Sequence, residues 1–191
     1  MITLNEEPMT TAEIQHEIVK RLNKSGITSV VLNFQGTGLH EADVLVLSNN
    51  DYLIEYEVKI SHADFIADFK KVEKHRYLAD RDAFNIYDEW KRGKKTGGTV
   101  KSIKIPNRFC YACEPGLISG CEVPEYAGLV YVYKDDPTRS IEVMKNAPLL
   151  HREKVTTTIL KRMVAILAER LTCNGRSYAY DKILKSKEDK K

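Results

Sequence analysis

The segment from Tyr52 to Ile60 reads YLIEYEVKI and alternates between two kinds of side chain. Successive side chains of a β-strand point to opposite faces of its sheet, so this pattern predicts a strand with two unlike faces. The even-numbered face is apolar or aromatic throughout and must pack on a core. The odd-numbered face carries Glu55, Glu57 and Lys59 after Leu53. The strand therefore presents two carboxylates and an amine on the face opposite its core.

The charged face has a simple structural explanation. Polar residues on the solvent side of a strand often form cross-strand salt bridges, and Glu-x-Lys alone is a weak motif. Asp43 favours a chemical role instead, because it lies at the start of the preceding predicted strand. The turn sequence Ser48–Asp51 returns the chain directly to the Glu57 strand as a hairpin. Asp43 can therefore lie beside Glu57 and Lys59.

An aspartate, a glutamate and a lysine that meet at a strand end suit Mg²⁺-dependent cleavage of a phosphodiester bond. Carboxylate oxygens bind such a hard cation, and Mn²⁺ can substitute for it. The cation polarises the phosphate and acidifies a bound water, which a lysine can orient or activate. The predicted catalytic residues are Asp43, Glu57 and Lys59, with Asp43 and Glu57 as metal ligands. Glu55 is expected to serve structure or solubility.

The remainder of the chain predicts an α/β fold. Capping-box spacing and helical apolar periods predict helices from Thr10 to about Gly26, Ser61 to Leu78 and Glu153 to Leu171. Apolar runs between turn residues predict five strands: Thr28–Phe34, Ala42–Leu47, Tyr52–Ile60, Phe109–Cys113 and Ala127–Tyr133. This order indicates a mixed sheet flanked by helices. Residues 1–180 are predicted to form a single domain and residues 181–191 a charged, flexible tail.

This order of elements, with Asp on the second strand and Glu-x-Lys on the third, resembles the core of the PD-(D/E)xK (restriction-endonuclease-like) nuclease superfamily. Three segments are similar to the small stand-alone MmcB-type proteins associated with DNA repair: Glu57–Lys70 (EVKISHADFIADFK), Phe109–Ile118 and Val123–Val130. The resemblance covers residues 10–133. It implies an αβββαβ core and a metal-dependent deoxyribonuclease, either an endonuclease or an exonuclease.

The resemblance also implies roles for individual residues. It assigns Asp43 and Glu57 as metal ligands and Lys59 as the catalytic lysine. Many members of the superfamily add a glutamate from the first helix, and Glu17, at the edge of the apolar helix face, is the predicted third metal ligand. Glu17 could also be a surface partner of Arg21 at i, i+4.

Basic residues cluster after the Glu-x-Lys strand and suit contacts with a DNA backbone. The predicted DNA-binding residues lie on the helix that follows the strand: Lys70, Lys71, Lys74, His75 and Arg76. Such contacts are independent of base sequence and sensitive to salt. The basic loop Lys91–Gly98, within a long insertion at 79–108, is a second candidate. A solvated surface explains the charge equally well in both places.

Four cysteines raise the question of a metal site: Cys110, Cys113, Cys121 and Cys173. Some nucleases of the superfamily carry an iron–sulfur cluster on four cysteines. However, Cys110 and Cys113 fall within a predicted strand, where a spacing of three directs them to opposite faces. Buried free thiols are therefore favoured over an iron–sulfur or zinc site.

The composition leaves several functions open. A net charge of +3 neither requires nor excludes nucleic acid. No apolar run reaches the length of a membrane span and no signal-peptide pattern is present, so we expect a cytoplasmic protein with no membrane partner. DNA is the predicted partner, and a homodimer is left open. Two alternatives remain: a non-catalytic nucleic-acid-binding domain on the same fold, and an interaction domain whose charged strand face is merely exposed.

Overall fold

The structure, a computed structural model, describes residues 7–27, 29–35, 40–80, 106–134 and 140–188, with side chains as far as Thr172. The chain divides into two compact units, Met1–Val155 and Thr156–Lys191. The elements follow in the order α1 (Thr11–Lys24), β1 (Val30–Phe34), β2 (Ala42–Leu47), β3 (Leu53–Val58), α2 (His62–Asp68), α3 (Val72–Ala79), β4 (Arg108–Cys113), β5 (Ala127–Val132), β6 (Ile141–Lys145) and α4 (Thr157–Glu188).

Six strands of the described chain form one mixed sheet in the order β1-β2-β3-β4-β5-β6. The first three form an antiparallel meander, β4 and β5 run parallel to β3, and β6 is antiparallel to β5. The step from β3 to the parallel β4 requires a crossover connection, and α2 and α3 lie within it. The predicted α/β fold with a mixed sheet flanked by helices is confirmed. The short strand β6 was not predicted, because its sequence IEVMK mixes apolar and charged residues on both faces.

Helix α1 covers one face of the sheet. Its start is the predicted capping box, in which the Thr10 hydroxyl accepts from the Glu13 N–H and the Glu13 carboxylate accepts from the Thr10 N–H. Ile14 and Ile18 are fully buried in this core. They share it with residues of four strands: Val44, Val46, Val58, Ala112, Val130 and Val132. The even-numbered face of β3 thus packs on a core, as predicted.

A second core covers the opposite face of the sheet. Phe65 of α2 and Leu78 of α3 pack there with Phe109, Tyr111, Cys113, Ile118, Val123, Ala127 and Leu129. The single helix predicted over Ser61–Leu78 is wrong, because the chain turns after Asp68 and begins a separate helix at Val72. On one continuous helix, residues six apart would point about 120° apart. The break instead lets Lys74 approach the carboxylate of Asp68 to 3.3 Å.

Helix α4 runs from Thr157 to Glu188, well beyond the end predicted at Leu171. The apolar period that supported the prediction ends at Leu171, whereas the helix continues through polar residues. Its buried residues include Met163 and Ile166, and Val164 remains exposed. Among the helices that the structure describes, none is both long and apolar enough to cross a membrane.

Gly128 on β5 allows a test of the close packing between β5 and Ala147. A Cβ added at Gly128 would lie 2.7 Å from the backbone nitrogen of Ala147. We therefore expect Gly128→Ala to lower the free energy of unfolding by about 1–3 kcal/mol in urea denaturation. Gly120→Ala is the matched control, because a Cβ there meets no atom of the described chain within 4 Å. Equal stability of the two variants would contradict the close approach.

Candidate active site: a buried cluster of carboxylates and lysines

The charged face of β3 is buried. Glu55 is 0% exposed, Glu57 3% and Lys59 3%. In the parallel pairing with β4, Glu55 lies beside Phe109 and Glu57 beside Tyr111. These positions contradict the simple explanation that the face is a solvated surface. Since buried charges are costly unless they are paired, the side chains around this face must supply partners.

Asp43 lies on β2 across from Glu57. The β2–β3 register pairs Val44 with Tyr56, which sets Asp43 opposite Glu57. One Asp43 oxygen, Oδ2, accepts a hydrogen bond from the Val58 N–H at 2.8 Å. Lys59 Nζ lies 3.0 Å from Glu57 Oε1. The structure therefore brings Asp43, Glu57 and Lys59 together, as the predicted hairpin requires.

The carboxyl group of Asp43 is incompletely compensated by its surroundings. Burial raises the pKa of Asp43 to about 6, and the negative charge of Glu57 acts in the same direction. The hydrogen bond from Val58 and the charge of Lys59 oppose the rise without cancelling it. Asp43 is thus a carboxylate whose ionised form a nearby cation would stabilise.

Glu57 is paired with ammonium groups on both of its oxygens. Oε1 lies 3.0 Å from Lys59 Nζ and 3.2 Å from Lys71 Nζ, and Oε2 lies 2.8 Å from Lys74 Nζ. Burial alone would raise the pKa of Glu57, but the charges of Lys74 and Lys59 outweigh burial and hold it below its usual value. Glu57 is therefore an ionised, buried carboxylate at neutral pH.

Asp68, the last residue of α2, is the centre of the cluster and was not identified from sequence. Its buried carboxylate contacts Lys71 at 2.9 Å, Tyr111 Oη at 3.1 Å, His75 Nε2 at 3.2 Å, and Lys59 and Lys74 at 3.3 Å. Burial opposes ionisation, but the His75 hydrogen bond and the lysine charges hold the pKa of Asp68 far below its usual range. The sequence separation of Asp68 from Lys71 and Lys74 does not indicate these contacts unless the break between α2 and α3 is known.

The structure separates the predicted DNA-binding residues into two groups. Lys70, Lys71 and Arg76 are exposed, whereas Lys74 is buried. The prediction that Lys74 contacts DNA is wrong, because its ammonium group lies between the buried carboxylates of Glu57 and Asp68.

His75 is also largely enclosed. Its Nδ1 lies 2.6 Å from the Tyr126 hydroxyl and its Nε2 2.9 Å from the backbone oxygen of Asp68. These contacts link α3 to the end of α2, so His75 has a structural position rather than an exposed one. The basic loop Lys91–Gly98 lies outside the described residues.

Glu17 is not brought to Asp43 and Glu57. Helix α1 packs on the opposite face of the sheet, and Glu17 Oε1 lies 2.8 Å from Lys20 Nζ on the same helix. Glu17 lines a cavity of about 250 Å³ with Met9, Ala12, Glu13, His16 and Lys134. The α1 residue that contacts Asp43 is Gln15, whose Nε2 donates to the Asp43 backbone oxygen at 3.0 Å. Glu17 lies on the wrong flank of α1 for the predicted contact with Asp43 and Glu57.

Glu55 has a separate partner. His40 Nε2 lies 2.6 Å from Glu55 Oε1, and both side chains are buried. The other oxygen, Glu55 Oε2, makes no hydrogen bond within the described chain. The contact attaches a residue two positions before β2 to the middle of β3. This position agrees with the structural role expected for Glu55.

Cys110 and Cys113 are buried free thiols, as predicted. Cys113 belongs to the core beneath α2 and α3, and Cys110, three positions earlier on β4, faces the other side of the sheet. Burial raises the pKa of each thiol to about 12, which disfavours the thiolate form that binds metals. Cys121 is free and exposed, and the side chain of Cys173 lies outside the described residues.

The donor set at Asp43 and Glu57 fits a hard cation that keeps part of its water. Mg²⁺ sites use one or two carboxylates, several waters and substrate phosphate oxygens rather than a closed protein cage. Asp43 and Glu57 supply two carboxylates from adjacent strands. In the described ranges, no group of three or more His, Cys, Asp or Glu side chains is arranged to hold a metal ion. A cation would have to take one Glu57 oxygen from an ammonium group.

Comparison with known proteins reveals a likeness in fold. No family model matches the chain, and no curated protein matches its sequence. A solved structure of a protein of unknown function from Silicibacter pomeroyi matches with a TM-score of 0.56 and 19% identity, over 88% of this chain and 91% of that chain. At this identity the likeness concerns the fold alone, and it agrees with the α/β architecture.

The cluster makes a prediction about stability. Lys74→Met removes the ammonium group between Glu57 and Asp68 and leaves buried negative charge without its partner. We expect the free energy of unfolding to fall by about 3–5 kcal/mol, measured by urea denaturation. Lys70→Met, at an exposed position close in sequence, should change it little. If Lys74→Met is as stable as Lys70→Met, the ion pairs of Lys74 with Glu57 and Asp68 do not stabilise the fold.

Asp43 makes stability depend on pH. Its pKa is raised from 3.8 to about 6 on folding, so between these values the folded state binds more protons and stability falls as pH rises. Asp43→Asn removes the charge and keeps an acceptor for the Val58 N–H. We expect the unfolding free energy of Asp43→Asn, minus that of wild type, to grow from about pH 4 to about pH 6 and then level off.

Urea denaturation across this pH range measures the difference. Glu125→Gln, at an exposed carboxylate, should show no comparable rise and serves as the control. A difference between Asp43→Asn and wild type that stays constant with pH would contradict the raised pKa of Asp43.

Proposed function

We propose that the protein is a metal-dependent nuclease that hydrolyses DNA phosphodiester bonds at Asp43, Glu57 and Lys59. The observation that carries this proposal is Asp43 opposite Glu57 on adjacent strands, with Lys59 Nζ 3.0 Å from Glu57 Oε1. The raised pKa of Asp43 adds support, because a divalent cation would offset both the burial of the carboxylate and its repulsion by Glu57. Mg²⁺ is the proposed cofactor, and Mn²⁺ can replace it.

Each residue would have a distinct task. Asp43 and Glu57 would hold the ion, which supplies a Lewis acid that polarises the phosphate and lowers the pKa of a bound water. The Val58 N–H fixes Asp43, and Lys74 fixes Glu57. Lys59 Nζ, held by Glu57 at 3.0 Å and Asp68 at 3.3 Å, would orient the attacking water and offset charge on the phosphate.

The order of elements also supports the proposal. Asp43 lies on the second strand and Glu57-x-Lys59 on the third, followed by helices and a parallel strand, as in the PD-(D/E)xK nucleases that the sequence resembles. The resemblance concerns the order of the elements. The exposed Lys70 and Arg76, which follow the Glu57–Lys59 segment in the chain, would contact the DNA backbone. A cytoplasmic enzyme of DNA repair is the setting that we propose.

A non-catalytic nucleic-acid-binding domain is the second candidate. It is favoured by the ammonium groups of Lys71 and Lys74, which contact the Glu57 oxygens that a catalytic cation would need. In that case the cluster would only stabilise the fold, and exposed basic residues would bind phosphates.

A cleavage assay distinguishes the two candidates. Purified protein is incubated with single-stranded, double-stranded and branched DNA in Mg²⁺, Mn²⁺ or EDTA. We expect cleavage only with metal, and a rate lower by about 100-fold or more in Asp43→Asn and Lys59→Met. Glu125→Gln, an exposed carboxylate away from these residues in sequence, should retain the wild-type rate.

Circular dichroism identifies any variant that fails to fold. Asp43→Asn keeps the hydrogen-bond acceptor for Val58 and so separates a loss of chemistry from a loss of structure. Full cleavage by folded Asp43→Asn and Lys59→Met would refute the site. DNA binding without cleavage, unchanged by EDTA, would favour the second candidate.

A further inference from the structure

A cation at Asp43 and Glu57 would have to compete with the protein itself. Glu57 Oε1 faces Lys59 and Lys71 at 3.0 and 3.2 Å, and Oε2 faces Lys74 at 2.8 Å. Binding of a divalent ion to either oxygen requires an ammonium group to move away. The question is which lysine can leave.

The three lysines differ in their access to water. The side chains of Lys59 and Lys74 are 4% and 2% exposed, whereas that of Lys71 is 51% exposed. An ammonium group leaves a carboxylate at low cost only if water or another anion then solvates it. Lys71 also lies in the turn between α2 and α3. Lys71 is therefore the group that can yield its place.

The departure of Lys71 leaves no carboxylate of the cluster without a partner. Glu57 keeps Lys59 and Lys74. Asp68 loses a contact of 2.9 Å with Lys71 and keeps its other described contacts. These contacts are to Lys59, Lys74, His75 and Tyr111.

The charges favour the exchange when phosphate is present. Three carboxylates lie among three ammonium groups: Asp43, Glu57, Asp68, Lys59, Lys71 and Lys74. The half-exposed Asp64 carboxylate lies 3.9 Å from Lys59 as well. A divalent cation in place of Lys71 makes the cluster more positive by one charge. This added charge matches the single negative charge of one phosphodiester group, which the released Lys71 can also contact.

We propose that Lys71 couples cation binding to phosphate binding: it leaves Glu57 when the divalent ion binds and then contacts the DNA backbone. The inference rests on the proposed nuclease site. Coupling of two binding events is reciprocal, so DNA that holds Lys71 away from Glu57 raises the affinity for the cation by the same factor. Lys71 thus makes the site bind metal best when substrate is present.

Two affinities test the coupling in wild type, Lys71→Met and Lys70→Met. The first is the affinity for Mn²⁺ without DNA, followed by the electron paramagnetic resonance signal of free Mn²⁺. We expect Lys71→Met to bind Mn²⁺ at least about 5-fold more tightly than wild type, because the Lys71 ammonium group no longer competes with Mn²⁺ for Glu57. Lys70→Met removes the same charge from the adjacent exposed position and should bind as wild type does.

The second is the affinity for a fluorescent 16-base-pair DNA duplex, measured by anisotropy with and without Ca²⁺, which takes the same oxygen ligands. Ca²⁺ should strengthen DNA binding by about 5-fold or more in wild type and Lys70→Met, and by a clearly smaller factor in Lys71→Met, where only the direct attraction between cation and phosphate remains. Loss of a Lys70 contact with DNA would weaken binding equally with and without Ca²⁺, so it leaves the Ca²⁺ effect unchanged. Circular dichroism confirms that each variant is folded.

The possible results separate this inference from the proposed function. If Mn²⁺ binds wild type but Lys71→Met binds it no more tightly than Lys70→Met, the coupling is overturned and the metal site stands. An equal Ca²⁺ effect on DNA binding in all three proteins also overturns the coupling. If wild type does not bind Mn²⁺, or Asp43→Asn binds it equally well, both the metal site and the coupling are wrong.

Discussion

The buried pairing of Glu57 and Asp68 with Lys59 and Lys74 ties β3, α2 and α3 together. A charge taken out of water costs several kcal/mol unless it is paired, so these side chains have to converge from β3, α2 and α3. Their convergence requires a break between the two helices. It also holds both helices against the sheet within the crossover that leads from β3 to the parallel β4.

The same cluster places side by side two carboxylates whose pKa values are shifted in opposite directions. Glu57 is compensated by ammonium groups, and its pKa is held below the usual value. Asp43, opposite it on β2, is compensated by a backbone N–H and has a raised pKa. The metal site that we propose would use this difference: a cation would bind at Asp43 and displace only Lys71 from Glu57, so that the other ion pairs of the cluster would remain.

Elements with a strong local pattern were predictable. The Thr10 capping box marked the start of α1, and strict alternation marked β3. The turn before Tyr52 predicted the hairpin that sets Asp43 beside Glu57. The end of α4 was missed because a helix can continue past its last apolar residue. The choice of Glu17 instead of Gln15 failed because these residues lie on different flanks of α1, and only packing determines which flank meets β2.

Local periods and a short turn are enough to predict the α/β fold, the two faces of β3 and the meeting of Asp43 with Glu57 and Lys59. The burial of the charged face and the participation of Asp68 and Lys74 depend on contacts between β3 and the two helices that follow it. No glycine or proline marks the break between α2 and α3 in the sequence. The break is stabilised by ion pairs to Glu57 and Lys59 at the end of β3. Contacts between residues so far apart in the sequence leave no local pattern around the break.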